Sequence, residues 1–178
     1  MDVRGLTGYS DRTPPMTSPR SYRRALPDFI ASRRPQFAVT ITLNRDATFP
    51  GMRRKLEGFH AELDHALFRQ GWSRRPSSQR SDAIWFFEHL ASNAHAHGLL
   101  TIPRSFFFDG LCAIPGKVFD PHELLTETGR NLAPSADCDV QLIYDLPGAI
   151  RYAMKDWRDP TAWVLASEFH SARSLSRH

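Results

Sequence analysis

Glu88 and the run His95-Ala96-His97 are residues whose types and spacing point to chemistry. Successive side chains of a strand face opposite ways, so His95 and His97 share one face and Ala96 takes the other. Two imidazoles about 7 Å apart along a strand are able to converge on one divalent ion, and histidine is a common metal ligand. Glu88, near the end of the preceding strand, lies beside them across a hairpin. Its carboxylate makes the set harder and better suited to Mg²⁺ or Mn²⁺ than three imidazoles. His89 is the rival third ligand. Strand alternation puts it on the face opposite Glu88, so only one of the two should fit. Read alone, the pair also describes two ordinary histidines near a turn. Its continuation as the apolar strand Gly98-Leu99-Leu100-Thr101-Ile102 places it on a rigid element, where a site is preorganised.

The second constellation is Arg151-Tyr152-Ala153-Met154-Lys155, within a helix expected from Pro147 to about Trp157. Helical periodicity gathers Ile150, Ala153, Met154 and Trp157 on one side and Arg151, Tyr152, Lys155 and Asp156 on the other. Tyr152 and Lys155 are three apart and therefore neighbours. A free phenol, with a pKa near 10, is a poor nucleophile at neutral pH. A neighbouring cation favours the phenolate and also neutralises a phosphate. An amphipathic surface helix carrying Tyr and Lys is the plainer alternative. Among the other tyrosines, Tyr144 is expected in the core of an apolar strand, and Tyr9 and Tyr22 fall in a polar N-terminal segment.

These residues need elements to hold them. Phe37 to Asn44 is rich in β-branched residues and reads as a strand. Met52, Leu56, Phe59, Leu63, Ala66 and Leu67 form one apolar face of a helix that Gly71 stops. Strands over 83–89 and 95–103 follow, joined tightly enough to favour an antiparallel hairpin. In 104–120, Phe106 to Phe108 read as core or as a base-stacking surface, and Pro115-Gly116 marks a turn. Asp120 and Pro121 open a helix to about Leu132. Strands over 140–144 and 163–169 complete the pattern. Strands interleaved with helices, plus one hairpin, predict an α+β, ferredoxin/RRM-like sandwich with a central, largely antiparallel β-sheet covered by helices.

The 178 residues, 41% of them hydrophobic, suffice for one compact core and not for two domains. The longest apolar run, Ala83 to Phe87, is far below the roughly 18 residues of a membrane span. No apolar stretch of secretory type follows the N-terminal charges. Cys112 and Cys138 form neither a disulfide framework nor a zinc motif, so a reduced, cytoplasmic setting is expected. Residues 1–35 hold seven Arg and three Asp, a net of +4, and the whole chain, with 23 basic and 19 acidic residues, also sums to +4. The excess therefore sits in a Pro-, Ser- and Arg-rich segment, which is expected to be a flexible basic arm, a polyanion contact or a merely solvated tail. Residues 36–170 are expected to form the single domain, and 171–178 a flexible C-terminal tail.

The apolar strand at 37–43, Glu88 with His95-Ala96-His97-Gly98-Leu99-Leu100, and Tyr152-Ala153-Met154-Lys155 together resemble the HUH endonucleases. Within them the closest resemblance is to the replication initiators of rolling-circle plasmids and single-stranded DNA phages. The resemblance spans roughly residues 37–157. Conjugative relaxases place the tyrosine before the histidines, whereas the single-tyrosine insertion-sequence transposases share the order seen here. Ala96 is smaller than the bulky hydrophobe usual between the histidines. The resemblance implies that Glu88, His95 and His97 hold Mg²⁺ or Mn²⁺ against a scissile phosphate. Tyr152 then attacks to leave a 5′-phosphotyrosine and a free 3′-OH, while Lys155 positions the phosphate or stabilises the phenolate. Single-stranded or hairpin DNA at an origin is the implied partner, with strand separation left to a host helicase. Arg53, Arg54, Arg74, Arg75 and Arg151 are candidate backbone contacts. A non-catalytic nucleic-acid-binding module on the same fold is the rival from another class. It gives no reason for Glu88, the two histidines, Tyr152 and Lys155 to occur together. A third possibility is a degenerate nuclease that keeps the fold and DNA binding without cleavage.

Overall fold

A computed structural model of the chain describes residues 19–108, 111–114, 117–133, 135–157, 159 and 161–175. The elements run α1 (Pro19–Ser32), β1 (Phe37–Thr42), α2 (Phe49–Phe68), β2 (Asp82–Glu88), β3 (His95–Thr101), β4 (Phe107–Phe108), β5 (Leu111–Ile114), β6 (Lys117–Phe119), α3 (Pro121–Arg130), β7 (Asp137–Leu142), α4 (Leu146–Ala153), β8 (Trp163–Leu165) and α5 (Ala166–Leu175). The central sheet has the order β7-β1-β3-β2-β8 with every pair antiparallel. Its first four strands follow the β-α-β-β-α-β path of a ferredoxin-like sandwich. β4, β5 and β6 form a separate small sheet between β3 and α3.

Alternation along β1 gives the sheet its two faces. Phe37, Val39 and Ile41 are buried against Met52, Leu56, Phe59, Leu63 and Leu67, the apolar stripe of α2. Each such side chain contributes about 1.5–3 kcal/mol of burial. Thr48 caps α2, its hydroxyl accepting from the Gly51 amide at 3.1 Å. Leu125 of α3 and Phe169 of α5 join this layer. Asp120 caps α3 by accepting from the His122 amide at 2.8 Å, as its position before Pro121 predicts.

The opposite face is partly covered by α1 and α4. Leu26 and Ile30 of α1 pack with Ile84, Phe86 and Leu99 of the sheet and with Ile150, Ala153 and Trp157. This corrects the expectation of a flexible arm through residue 35: Pro19–Ser32 is a helix whose Leu26 and Ile30 pack on this face of the sheet. Arg23 adds a hydrogen bond to the Trp157 carbonyl and lies over its indole, 5.5 Å from the ring centre. Residues 1–18, Tyr9 among them, and the expected Pro115-Gly116 turn lie outside the described residues.

Three more boundaries differ from expectation. The last strand ends at Leu165, and Ala166–Leu175 is α5, so the expected strand to Phe169 and most of the expected 171–178 tail are helix. The strand expected at 140–144 is β7, Asp137–Leu142. Tyr144 lies beyond it at 90% exposure, not in the core. α4 stops at Ala153, four residues short of Trp157, so Lys155 sits in the following turn.

Candidate functional site

Cross-strand register builds the centre of the site. β2 and β3 pair Glu88 with His95 and Phe86 with His97, so both histidines and the carboxylate share the face that α1 and α4 only partly cover. β1 pairs Thr42 with His95 and Thr40 with His97 on that same face. Thr40 Oγ1 lies 3.0 Å from His97 Nδ1, and Thr42 Oγ1 lies 2.9 Å from His95 Nδ1. A hydroxyl both donates and accepts, so each threonine fixes ring orientation in either tautomer. His97 Nε2 is 3.0 Å from Glu88 Oε2, in a pair almost fully buried. Glu88 Oε1 is buried with no hydrogen-bond partner.

Burial is the chief influence on the histidines. It lowers the pKa of His97, with Lys155 acting in the same sense and the Glu88 carboxylate opposing. Burial also lowers His95, helped by His89 and Lys155 and opposed by Glu88. Both imidazoles are therefore neutral at neutral pH, the state in which they ligate metal. Glu88, His95 and His97 are nevertheless not among the described groups whose three ligand atoms lie within 4.8 Å of one another.

α4 brings the phenol. Asp145 caps it, accepting from the Gly148 amide at 3.0 Å, and Ile150 and Ala153 anchor it to the sheet. That orientation sets the Tyr152 ring edge-on to His97, with centroids 5.4 Å apart, while leaving Tyr152 53% exposed. Lys155 Nζ lies over the Tyr152 ring, 4.2 Å from its centre. Glu88, His95, His97, Tyr152 and Lys155 thus occupy one neighbourhood.

His89 departs from expectation. β2 ends at Glu88, and His89 takes a left-handed conformation, φ 50°, which breaks the alternation that would have sent it to the other face. Its ring stands 5.7 Å from that of His95. Among the described residues, the group whose ligand atoms all lie within 4.8 Å of one another is Glu88, His89 and Asp156. His89 and Glu88 thus approach one another, against the expectation that they face opposite ways.

No family model, curated protein or solved structure matches the chain.

The basic candidates are dispersed. Arg53, on α2 behind the sheet, pairs with Glu168 at 3.2 Å and lies over Phe169. Arg54 is exposed on α2. Arg74 and Arg75 occupy a turn after α2, with Arg75 stacked on Phe68, 4.5 Å from the ring centre. Of the five, Arg151 lies beside Tyr152 on α4, 3.9 Å from Asp145. Phe106 packs edge-on to Phe68 at 4.9 Å, as core packing requires. No helix of the described residues is long and apolar enough to cross a membrane.

Sequence reasoning passed over Thr40 and Thr42, although β1 alternation put them on one face and the antiparallel register set them opposite the histidines. It also passed over a buried polar cluster on the other side of the sheet. There His60 accepts from the Trp85 indole N–H at 2.9 Å and bonds Ser81 Oγ at 2.9 Å. Asp64 accepts from Arg80 at 2.7 Å and from the Ser81 amide at 2.8 Å, and His170 stands 3.7 Å from it. The available signal was two polar residues, His60 and Asp64, one helical turn apart within the apolar stripe of α2.

Proposed function

We propose that this protein is a metal-dependent single-stranded DNA endonuclease and strand transferase of the HUH kind. It nicks through Tyr152 to initiate rolling-circle replication in the cytoplasm, at an origin strand or hairpin opened by a host helicase. One observation carries the reading: the Tyr152 ring stands 5.4 Å from His97, whose Nε2 is 3.0 Å from the Glu88 carboxylate.

Glu88, His95 and His97 would hold Mg²⁺ or Mn²⁺, which supplies polarisation of the phosphoryl oxygens and offsets their charge. Thr40 and Thr42 keep the two imidazoles in place for that task. The half-exposed Tyr152 hydroxyl is accessible to a strand laid over the open part of the sheet face. Its oxygen forms the new bond to phosphorus as the bond to the 3′ oxygen breaks. The phenol loses one proton and the departing 3′ oxygen gains one, so the step is proton-neutral overall. Lys155, above the ring, stabilises negative charge on the phenolic oxygen and on the phosphate. The resulting phosphotyrosine retains the energy of the broken diester, so a 3′-OH is able to reverse the step and join strands.

The test incubates the full chain with 3′-labelled single-stranded DNA and Mn²⁺, beside Tyr152→Phe. A denaturant-resistant protein–DNA adduct in the wild type and none in the variant supports the reading. Equal adduct in both moves the nucleophile elsewhere, and no adduct with any strand tested counts against a nuclease.

A further inference from the structure

Three groups come together beside the nicking site: Glu88, His89 and Asp156. Glu88 Oε2 is taken up by His97, while Oε1 is buried without a partner. Burying a carboxylate oxygen without a donor is costly, so a ligand at that atom would relieve a penalty already built into the fold. His89 is turned to the same side by its left-handed backbone. Asp156 arrives from the turn after α4, and one ligand atom from each of the three residues lies within 4.8 Å of the others. The three line a cavity of about 350 Å³, together with Phe87, Asp159 and Ala162. That volume accommodates an ion and several waters, a water's share of liquid being about 30 Å³. Asp159 is already engaged with Thr161, accepting from its amide at 2.8 Å and its hydroxyl at 2.7 Å.

We propose that Glu88, His89 and Asp156 form a divalent-cation site on the β8 side of Glu88, which shares that carboxylate with the His95–His97 pair and takes its other two ligands from His89 and Asp156. Two carboxylates and one imidazole are a mixed oxygen and nitrogen set, which suits Mn²⁺ and takes Mg²⁺ less tightly. An ion there ties the turn that carries Lys155 and Asp156 to the end of the β2–β3 hairpin. It therefore also fixes the end of α4 that presents Tyr152. The site does not rest on the nuclease reading, because these ligands hold a cation whether or not Tyr152 cleaves DNA.

The test titrates the full chain with Mn²⁺, following free ion by electron paramagnetic resonance and the melting temperature in parallel. His89→Gln and Asp156→Asn are both at exposed positions and should fold. Each is expected to weaken Mn²⁺ binding at this site by roughly tenfold or more and to remove the part of the Mn²⁺-induced rise in melting temperature that this site supplies. Glu62→Gln, which removes an exposed carboxylate from α2, is expected to keep wild-type affinity. Wild-type affinity in both His89→Gln and Asp156→Asn overturns the site, as does a wild-type chain that binds no Mn²⁺. An equal loss in Glu62→Gln also overturns it, since binding would then follow surface charge alone. DNA adduct formation in a chain whose His89 and Asp156 variants bind normally leaves the nuclease and removes this site. Loss of Mn²⁺ in those variants without any DNA adduct does the reverse.

Discussion

Gly98, immediately after the second histidine, is where the backbone of the site strand lies against the Trp85 indole, and Gly98→Ala tests that contact. A Cβ built there would lie 2.4, 2.6 and 2.7 Å from Cζ3, Cε3 and Cη2 of Trp85. Carbon atoms sit comfortably at about 3.5–4.0 Å, so something must move by about 1 Å. The indole has little room to yield. It is fully buried, paired in register with Gly98, edge-on to Phe59 at 5.6 Å and hydrogen-bonded through Nε1 to His60 at 2.9 Å. Overpacking costs about 1–3 kcal/mol. A displaced Trp85–His60 hydrogen bond adds about 1 kcal/mol. Together these predict a loss of about 2–4 kcal/mol, or about 4–16 °C in melting temperature for a chain of this size. Urea unfolding followed by tryptophan fluorescence measures it. Trp85→Phe removes the atoms in conflict, so in the Gly98→Ala background it should cost less than in wild type, with a coupling of about 1 kcal/mol or more. A Gly98→Ala change within about 0.5 kcal/mol of wild type, or a strictly additive pair, would refute the close-approach argument.

Lys155→Gln, at an exposed position, is expected to slow adduct formation roughly 10- to 100-fold while leaving the melting temperature unchanged. A wild-type rate removes Lys155 from the reaction. Burial and the Arg80 guanidinium hold His170 down at about 4, and burial, His170 and Arg80 hold His60 well below its usual value. Both take up protons more readily unfolded, so their contribution is fully present above about pH 6.5 and is lost as pH falls toward 4. Burial raises Asp64, which opposes this trend at the acidic end. The urea midpoint should therefore fall between pH 7.5 and 5, and a flat profile contradicts the buried cluster. Burial, with Asp139, pushes the Cys138 thiol up to about 12. In a Cys112→Ser background, alkylation at pH 8 should run at least roughly a hundredfold slower in the folded protein than in urea. Equal rates would place Cys138 outside the core.

The architecture was legible where period and punctuation agreed. Phe37 to Thr42 alternates with β-branched residues, α2 carries a regular stripe, and Asp120-Pro121 and Pro147 mark helix starts that the structure keeps to within a residue. The hairpin was legible too, and with it the shared face of Glu88, His95 and His97. α1 was hidden because its arginines and prolines read as a solvated arm, while Leu26, Phe29 and Ile30 supply an apolar face only three residues wide. The partner that makes it fold is the sheet face itself, which local composition does not display. His89 was misplaced because alternation holds only while a strand continues, and one left-handed residue ends it. Tyr144 was misplaced by extending β7 two residues too far. Asp156 escaped notice because its role depends on α4 ending at Ala153, which lets the next turn swing toward β2.

The central claim is that Tyr152 carries the DNA, and peptide mapping of the adduct tests it most directly. Trypsin cutting after Arg151 and Lys155 releases Tyr152-Ala153-Met154-Lys155 as a tetrapeptide. After nuclease trimming, mass spectrometry should find a 5′-phosphonucleotide on that tetrapeptide, at the tyrosine oxygen. A nucleotide on the peptide bearing Tyr144, or an adduct that leaves the tetrapeptide unmodified, would contradict the account.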